Sequence, residues 1–534
     1  MKVTTDNIAV LDLETDPFKY QRKPEPFAGG FLSNNKYIET WGDNCVQELY
    51  DEIQRLDSAH VIYAHNGGKF DFFYFLELGL IDELKIVNGR ILQAKCGKHE
   101  LRDSMGVFPM ALAAYQKDDI DYLWFERDVR ESHKADILHY LATDCEYLHE
   151  LMTKFVDRFG DKLTIGGTAI AEVKKSHKFK QTNKAHDERF RPFYYGGRTE
   201  AFEVGTIKGD LKYFDVNSMY PHVMASYKHP TGTRYNYHVE YGKQFLNDGI
   251  MENPYFISFV GKNNGALPTR ILSGPKKGGL TFNAEHGEFF TTSHELQVAL
   301  KYGRVEIEKI NYIYESLETI NFAEFVNKFS QEKIDSKRAN DTFTYLFVKF
   351  ILNSAYGKFG QNPENFFDYM IRWRDEKLPP EPWKPYIDGG FYEIWKKPNP
   401  KPIYNDVATA ASITGAARSV LLEAIVNSTR PLYCDTDSLI CESIENIVID
   451  PTRLGAWDIE DEGDEICIAG KKLYAMFKDG ECNKLASKGV RLTPEEIRTV
   501  CGGTDVKYRK ESPSFKLHGG AQFIKRTVAG IHYN

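Results

Sequence analysis

Two carboxylates, Asp12 and Glu14, stand in Leu11-Asp12-Leu13-Glu14-Thr15, directly after the apolar run Ile8 to Leu11. Positions i and i+2 of a strand face the same way. Two carboxylates on one side of a buried strand repel unless a cation lies between them. A pair of divalent metals is the usual resolution. Taken alone, Asp-x-Glu is equally a solvated strand end. Two further pieces shift that balance. Asn66-Gly67-Gly68-Lys69-Phe70-Asp71 follows a second apolar run, His60 to Ala64, and supplies a third carboxylate. Tyr140 and Asp144 lie four apart on an expected helix and share a face. Four acids and a tyrosine suit two-metal hydrolysis of a phosphodiester, with cations activating water and the hydroxyl orienting it.

A second set of residues follows. Phe214-Asp215-Val216-Asn217-Ser218-Met219-Tyr220-Pro221 reads as a strand ending in a turn. Tyr433-Cys434-Asp435-Thr436-Asp437-Ser438 reads as another strand, with carboxylates at i and i+2. Between them, an expected helix puts Lys349, Asn353 and Tyr356 on one face and turns Phe347, Phe350 and Ile351 toward a core. A cation, an amide and a flat ring suit a nucleotide, the lysine at the phosphates and the ring over the nascent base pair. An amphipathic helix with a polar face is the plain alternative. Asp215 and Asp437 are expected to hold two magnesium ions, with the Val216 carbonyl as a further ligand and Asp435 beside them. Oxygen-only ligands with open positions for water and phosphate suit magnesium.

In this order, Asp-x-Glu, Asn-x-x-x-Phe-Asp and Tyr-x-x-x-Asp resemble the three exonuclease motifs of proofreading DNA polymerases. Asp-x-x-Ser-x-Tyr-Pro, Lys-x-x-x-Asn-Ser-x-Tyr-Gly and Tyr-x-Asp-Thr-Asp-Ser resemble motifs A, B and C of family B DNA polymerases. The resemblance implies a template-dependent DNA polymerase with a 3′→5′ exonuclease, using two Mg²⁺ per active site with Mn²⁺ as a substitute. It implies that Lys117 steadies the scissile phosphate and that Thr15, Asn66 and Ser104 contact a single-stranded 3′ end. Met105 departs from the Ser-Leu pattern of the last motif. Tyr220 would stack under the sugar and exclude a ribose 2′-hydroxyl, with Lys337 among the nucleotide contacts. Tyr194, Gly196, Gly197 and Arg198 resemble a Tyr-x-Gly-Gly template motif, and Lys472 and Tyr474 a Lys-x-Tyr primer motif. Thr414 and Arg418 resemble a further template contact.

The elements that must position these residues read as an α/β multidomain chain. The resemblance implies an N-terminal RNase H-like (DnaQ-like) exonuclease domain and a right-hand polymerase domain of palm, fingers and thumb. The expected limits are 1–173 for the exonuclease and 174–225 for a linker with the first part of the palm. An insertion would span 226–330, the fingers 331–360 and a Pro-, Trp- and Tyr-rich hairpin or loop 361–403. The palm would resume over 404–480, and the thumb would close the chain over 481–534. Compactness and two insertions resemble the protein-primed subgroup of bacteriophages and linear plasmids, whose insertions contact a terminal protein and encircle DNA. A DNA-primed family B enzyme, and a stand-alone exonuclease with an inactive polymerase-like half, are the alternatives.

Length agrees, since 534 residues suggest two to four domains. The net charge of −8 argues against nucleic acid, but basic residues cluster at 333–358, 471–488 and 507–526. Eight scattered cysteines without zinc spacing imply reduced thiols. No run of about 18 apolar residues is evident, and Met1 to Val10 lacks a signal-peptide core. A soluble monomer in the cytoplasm, the host's if viral, is expected. Its partners would be template and primer DNA, deoxynucleoside triphosphates and a terminal protein.

Overall fold

The apolar run that begins at Ile8 continues through both carboxylates as strand β1 (Ile8–Thr15). The computed structural model describes all residues but 21, 35, 181, 240–252, 400–404, 507, 518–519 and 529–534, with backbone alone at 508–514 and 520–528. β1 pairs antiparallel with β2 (Pro26–Ser33), which pairs with β3 (Lys36–Trp41), and parallel with β4 (Val61–Ala64). β5 (Glu83–Val87), β6 (Arg90–Cys96) and β7 (His99–Asp103) complete the order β5-β6-β7-β4-β1-β2-β3. β4 is buried throughout, as a parallel strand covered on both faces must be. Alternation along β1 sends Ala9, Leu11 and Leu13 to a core with helices α1 (Cys45–Gln54) and α2 (Asp71–Glu77). Ile8 and Val10 face helix α3 (Lys134–Phe159). Asp12 and Glu14 continue that second row, so they too meet α3.

The sheet does not end at β5. Phe367–Trp373, Tyr392–Pro398 and Lys384–Asp388 extend it to ten strands, with Tyr369 and Met370 paired to Leu84 and Glu83. The segment expected as a linker is flanked by helices, with the described residues of 177–183 outside them. Helix α4 (Ile165–Ser176) covers its start and α5 (Lys184–Phe190) its end.

A second sheet of seven strands runs β14-β13-β12-β9-β11-β10-β8. These are β8 (Thr199–Ala201), β9 (Gly205–Val216), β10 (Tyr433–Asp435), β11 (Ser438–Cys441), β12 (Trp457–Gly470), β13 (Leu473–Lys478) and β14 (Glu481–Ser487). Helix α6 (Met219–Ser226) follows β9. Tyr235–His238, Val305–Ser316, Tyr255–Asn263 and His286–Thr292 form a separate four-stranded sheet that carries helix α7 (Ser293–Lys301). Helices α8 (Ala323–Arg338) and α9 (Thr342–Phe359) form an adjacent pair. Beyond the second sheet lie helix α11 (Pro494–Cys501) and the hairpin Tyr508–Lys516 with Gly520–Val528.

One expectation needs correcting. Helix α10 (Val407–Val426) is long and apolar enough to cross a membrane, although no such run was expected. Most of it is buried against α6, α7 and α9, where an apolar helix serves as core. A single hydrophobic cluster runs from Ile8 and Val10 through Phe155, Phe347 and Ile351 to Phe214 and Leu439. Both halves therefore share a core.

Two candidate active sites

The first site lies where β1 meets α3. Ligand oxygens of Asp12, Glu14 and Asp144 lie within 4.8 Å of one another. Asp71 opens α2 behind them, buried, and its Oδ1 has no hydrogen-bond partner; the Oδ1 of Asp144 has none either. Buried acids normally find partners. Burial, then the charge of Asp144, pushes Asp12 up to about 7. Burial, then Asp12, pushes Glu14 and Asp71 well above the carboxylate range. Burial raises Asp144 against the opposing Lys117, whose Nζ is 3.8 Å away. Lys117 also stands 5.5 Å from the ring of Tyr140, and Tyr122 lines the cleft beside both. These residues line a cleft of about 590 Å³ with Phe18, His65, Asn66 and Phe70.

The second site lies at the β9–β11 junction. Asp215 pairs with Ser438, and the Val216 amide donates to the Asp437 carbonyl at 2.9 Å. Burial, then Asp437 and Glu460, pushes Asp215 up to about 7. Burial, with help from Asp435 and Glu460, lifts Asp437 to about 6. Asp435 is occupied otherwise. Lys472 Nζ contacts both its oxygens at 2.7 and 2.5 Å, and Thr199 donates to it at 2.9 Å. Thr436, between the acids, has φ +65°, a strained conformation for a β-branched residue. Its amide donates to the Arg198 carbonyl at 2.6 Å. A Cβ on Gly197 would come within 2.8 Å of its methyl, so only glycine fits there.

Helix α9 presents Lys349, Asn353 and Tyr356 outward while Phe347 and Ile351 are buried; Phe350 is only partly so. Tyr356 stacks on Tyr220, 3.9 Å between centroids and 7° between planes. Lys337 is exposed on α8. Lys333, one turn before it, has its Nζ 3.4 Å from Ser218 Oγ, and burial beside Lys349 and Lys337 lowers its pKa. Its i, i+4 spacing to Lys337 was the available signal. Glu460 and Lys484, paired at 2.8 Å beside Asp215, lie in segments where no motif marks them.

Several expected DNA contacts are spent on the protein. Arg418 is buried and forms a bidentate pair with Glu295 of α7, at 2.7 and 2.6 Å. Its Nη1 donates to the carbonyls of Tyr195 and Gly196 at 2.7 and 2.8 Å. It therefore shapes the Tyr194–Arg198 turn instead of reaching a template. Thr414 is buried, its hydroxyl returned to the Ala411 carbonyl of its own helix. Arg198 is buried, paired with Glu200 and laid over Phe282 at 4.1 Å. Tyr474 is buried against Tyr433. Thr15 is buried, and Ser104 is fully so, its Oγ bound to His65 Nδ1 at 2.8 Å. Asn66 remains exposed at φ +65°, accepting from Arg90 at 2.9 Å. Gly196 is exposed, while Tyr194 and Lys472 are half-buried.

Known proteins agree with this architecture. A family described as DNA polymerase type B, organellar and viral, matches residues 114–446. The DNA-directed DNA polymerase of Enterobacteria phage PRD1 is 42% identical, with 98% of each chain covered. The DNA polymerase of Bacillus phage phi29 is 25% identical over 74% of this chain and 69% of that one. The structure of phi29 DNA polymerase with primer-template DNA and incoming nucleotide superimposes with a TM-score of 0.74. It is 18% identical and covers 98% of this chain and 99% of that one. The fold is thus the expected one, an exonuclease-type domain joined to palm, fingers and thumb. The chain belongs to the type B DNA polymerases of viruses and organelles and is a DNA-directed DNA polymerase.

Proposed function

We propose that the enzyme extends DNA at Asp215 and Asp437, edits 3′ ends at Asp12, Glu14, Asp71 and Asp144, and starts replication on a protein hydroxyl. The observation that carries the two-site reading is the pair of separate carboxylate clusters, each lifted far above the carboxylate range by burial and mutual repulsion. Such clusters are unfavourable without a counter-charge. At the editing site the donors are all oxygen and Asp71 and Asp144 each keep an unpartnered buried oxygen, which fits divalent cations, magnesium first. At the other site Asp215 and Asp437 are raised by burial and neighbouring acids, a charge that a cation would offset. Bound there, the cations would lower the pKa of the attacking oxygen and offset charge on the leaving one.

The protein's own groups do the rest. Lys349, Lys337 and Lys333 converge on the side from which a triphosphate enters. Tyr356 covers the base pair, and the Tyr220 ring, fixed against it, fills the volume a 2′-hydroxyl needs. Lys472 neutralises Asp435, so one fewer charge crowds Asp437. At the editing site Lys117 faces the scissile phosphate, and Tyr140 with Tyr122 orients the attacking water.

Asp437→Ala is expected to abolish nucleotide addition and spare 3′ trimming. The pair Asp12→Ala with Asp71→Ala should do the reverse, and loss of both activities in either variant would break the two-site assignment. Protein priming is supported by the sheet and helix α7 set between β9 and α9, tied to the Tyr194–Arg198 turn through Glu295. Labelled nucleotide should become attached to a terminal protein when template is present and every nucleic-acid primer is absent. Synthesis would then proceed with strand displacement in the host cytoplasm.

A further inference from the structure

Among the described residues that line the editing cleft, Phe18 is an aromatic that no motif marks. Its ring is 51% exposed although it lines the cleft with Asp12 and Glu14. The loop that presents it is held firmly. Asp16 is buried, its amide donates to the Glu25 carbonyl at 3.0 Å, and its Oδ1 accepts from the Glu25 amide at 2.7 Å. Arg22 closes the same turn through Asp16 and, at 3.1 Å, Glu25. Lys19 and Tyr20 anchor one flank on Glu126, and Lys23 anchors the other on Glu77. Phe18 is thus about half exposed where it lines the cleft that holds the carboxylates, and its flat face is open to a ligand.

Its ring neighbour among the described residues is Phe70, 5.9 Å away at 51°. Phe70 in turn packs on Phe515 of the C-terminal hairpin at 4.9 Å. The support thus runs from the cleft mouth to the far end of the chain. Any base offers a flat π-face, so a ring at this position suits a nucleobase without regard to sequence.

We propose that Phe18 is the stacking platform for a base of the frayed 3′ strand, holding it so that its last phosphodiester lies over the carboxylates. The proposal rests on the editing reading above and names a positioning residue within it. It predicts that duplex ends compete poorly, because a paired base keeps its own stacking partners, whereas a mispaired one gains Phe18.

The test uses the full-length enzyme and a single-stranded oligonucleotide carrying 2-aminopurine near its 3′ end. With Phe18→Ala, KM for trimming should rise about tenfold, as expected from the loss of one base–aromatic stack, while kcat moves little. The quenching of 2-aminopurine on binding in EDTA should weaken in the same variant. Phe18→Trp should restore both. Nucleotide addition on a fully paired primer and the melting temperature report that each variant is folded. Unchanged KM and unchanged quenching in Phe18→Ala would overturn the proposal while leaving the editing site intact. If the Asp12→Ala, Asp71→Ala enzyme trims as fast as the wild type, the editing reading itself fails and this inference falls with it.

Discussion

The ring of Tyr220 lies face to face with that of Tyr356, so neither can turn aside without losing the other. Replacing Tyr220 with valine removes the ring and opens volume beside the sugar. Discrimination against ribonucleotides should fall by about tenfold or more, measured as the ratio of kcat/KM for deoxy- and ribonucleotides; an unchanged ratio removes Tyr220 from that role. The acids make a second prediction. A carboxyl whose folded pKa is raised adds stability below its unfolded pKa, and that stability is lost as pH rises through the folded value. For Asp12, Asp215 and Asp437 the loss falls between about 4 and about 7. In EDTA the protein should therefore melt at lower temperature as pH rises across that window. Added Mg²⁺ should reverse the trend, with its half-saturating concentration falling from pH 5 to pH 8 as fewer protons need displacing. At this scale Asp12 with Glu14, and Tyr140 with Asp144, were legible because strand and helix periodicity sets which residues share a face. Asp435 and Asp437 read as lying on one strand, whereas Thr436 and Asp437 form the turn between β10 and β11. Lys484, Glu460 and Phe18 were not legible, because only the fold brings them to their sites.

Helices α7 and α10 meet through two ion pairs, the exposed Lys301–Glu423 and the buried Arg418–Glu295, and the buried one supports the Tyr194–Arg198 turn. Removing one partner of a buried pair leaves an uncompensated charge and costs about 3–5 kcal/mol. Glu295→Gln should lower stability toward that figure and shift the ratio of trimming to synthesis, read on one mismatched primer with nucleotides present. An enzyme whose melting temperature falls while this ratio holds would mean that the turn is not supported this way. Arg418 shows why such a residue misleads. Its resemblance to a template motif suggests DNA, while its burial, invisible in sequence, turns it to Glu295 and the carbonyls of Tyr195 and Gly196. Helix α3 carries Leu141, Cys145, Leu148 and Met152 at helical spacing, all of them buried. The strands of 367–398 were obscured by prolines, which the register accommodates near strand ends, at Pro385 and Pro398.

The whole molecule is built so that its first and later thirds complete each other's sheet. The ten-stranded sheet draws on residues 8–103 and again on 367–398. The hydrophobic cluster crosses the same boundary, with Phe155 of α3 on Phe347 of α9 at 5.3 Å. Domain limits drawn along the sequence do not capture this, because hydrogen-bonded neighbours such as Leu84 and Tyr369 are far apart in the chain. The consequence concerns modularity. A fragment cut after residue 173 would carry β5 as a bare edge strand, its ladder unpaired and open to intermolecular pairing. It would also expose the Phe155 side of α3. Such a fragment should aggregate when expressed alone, seen as elution in the void volume, and should recover solubility when residues 361–399 are fused beside β5. By this reading the N-terminal domain would not be a detachable cassette, and exchanging it between relatives would require exchanging the later insertion with it.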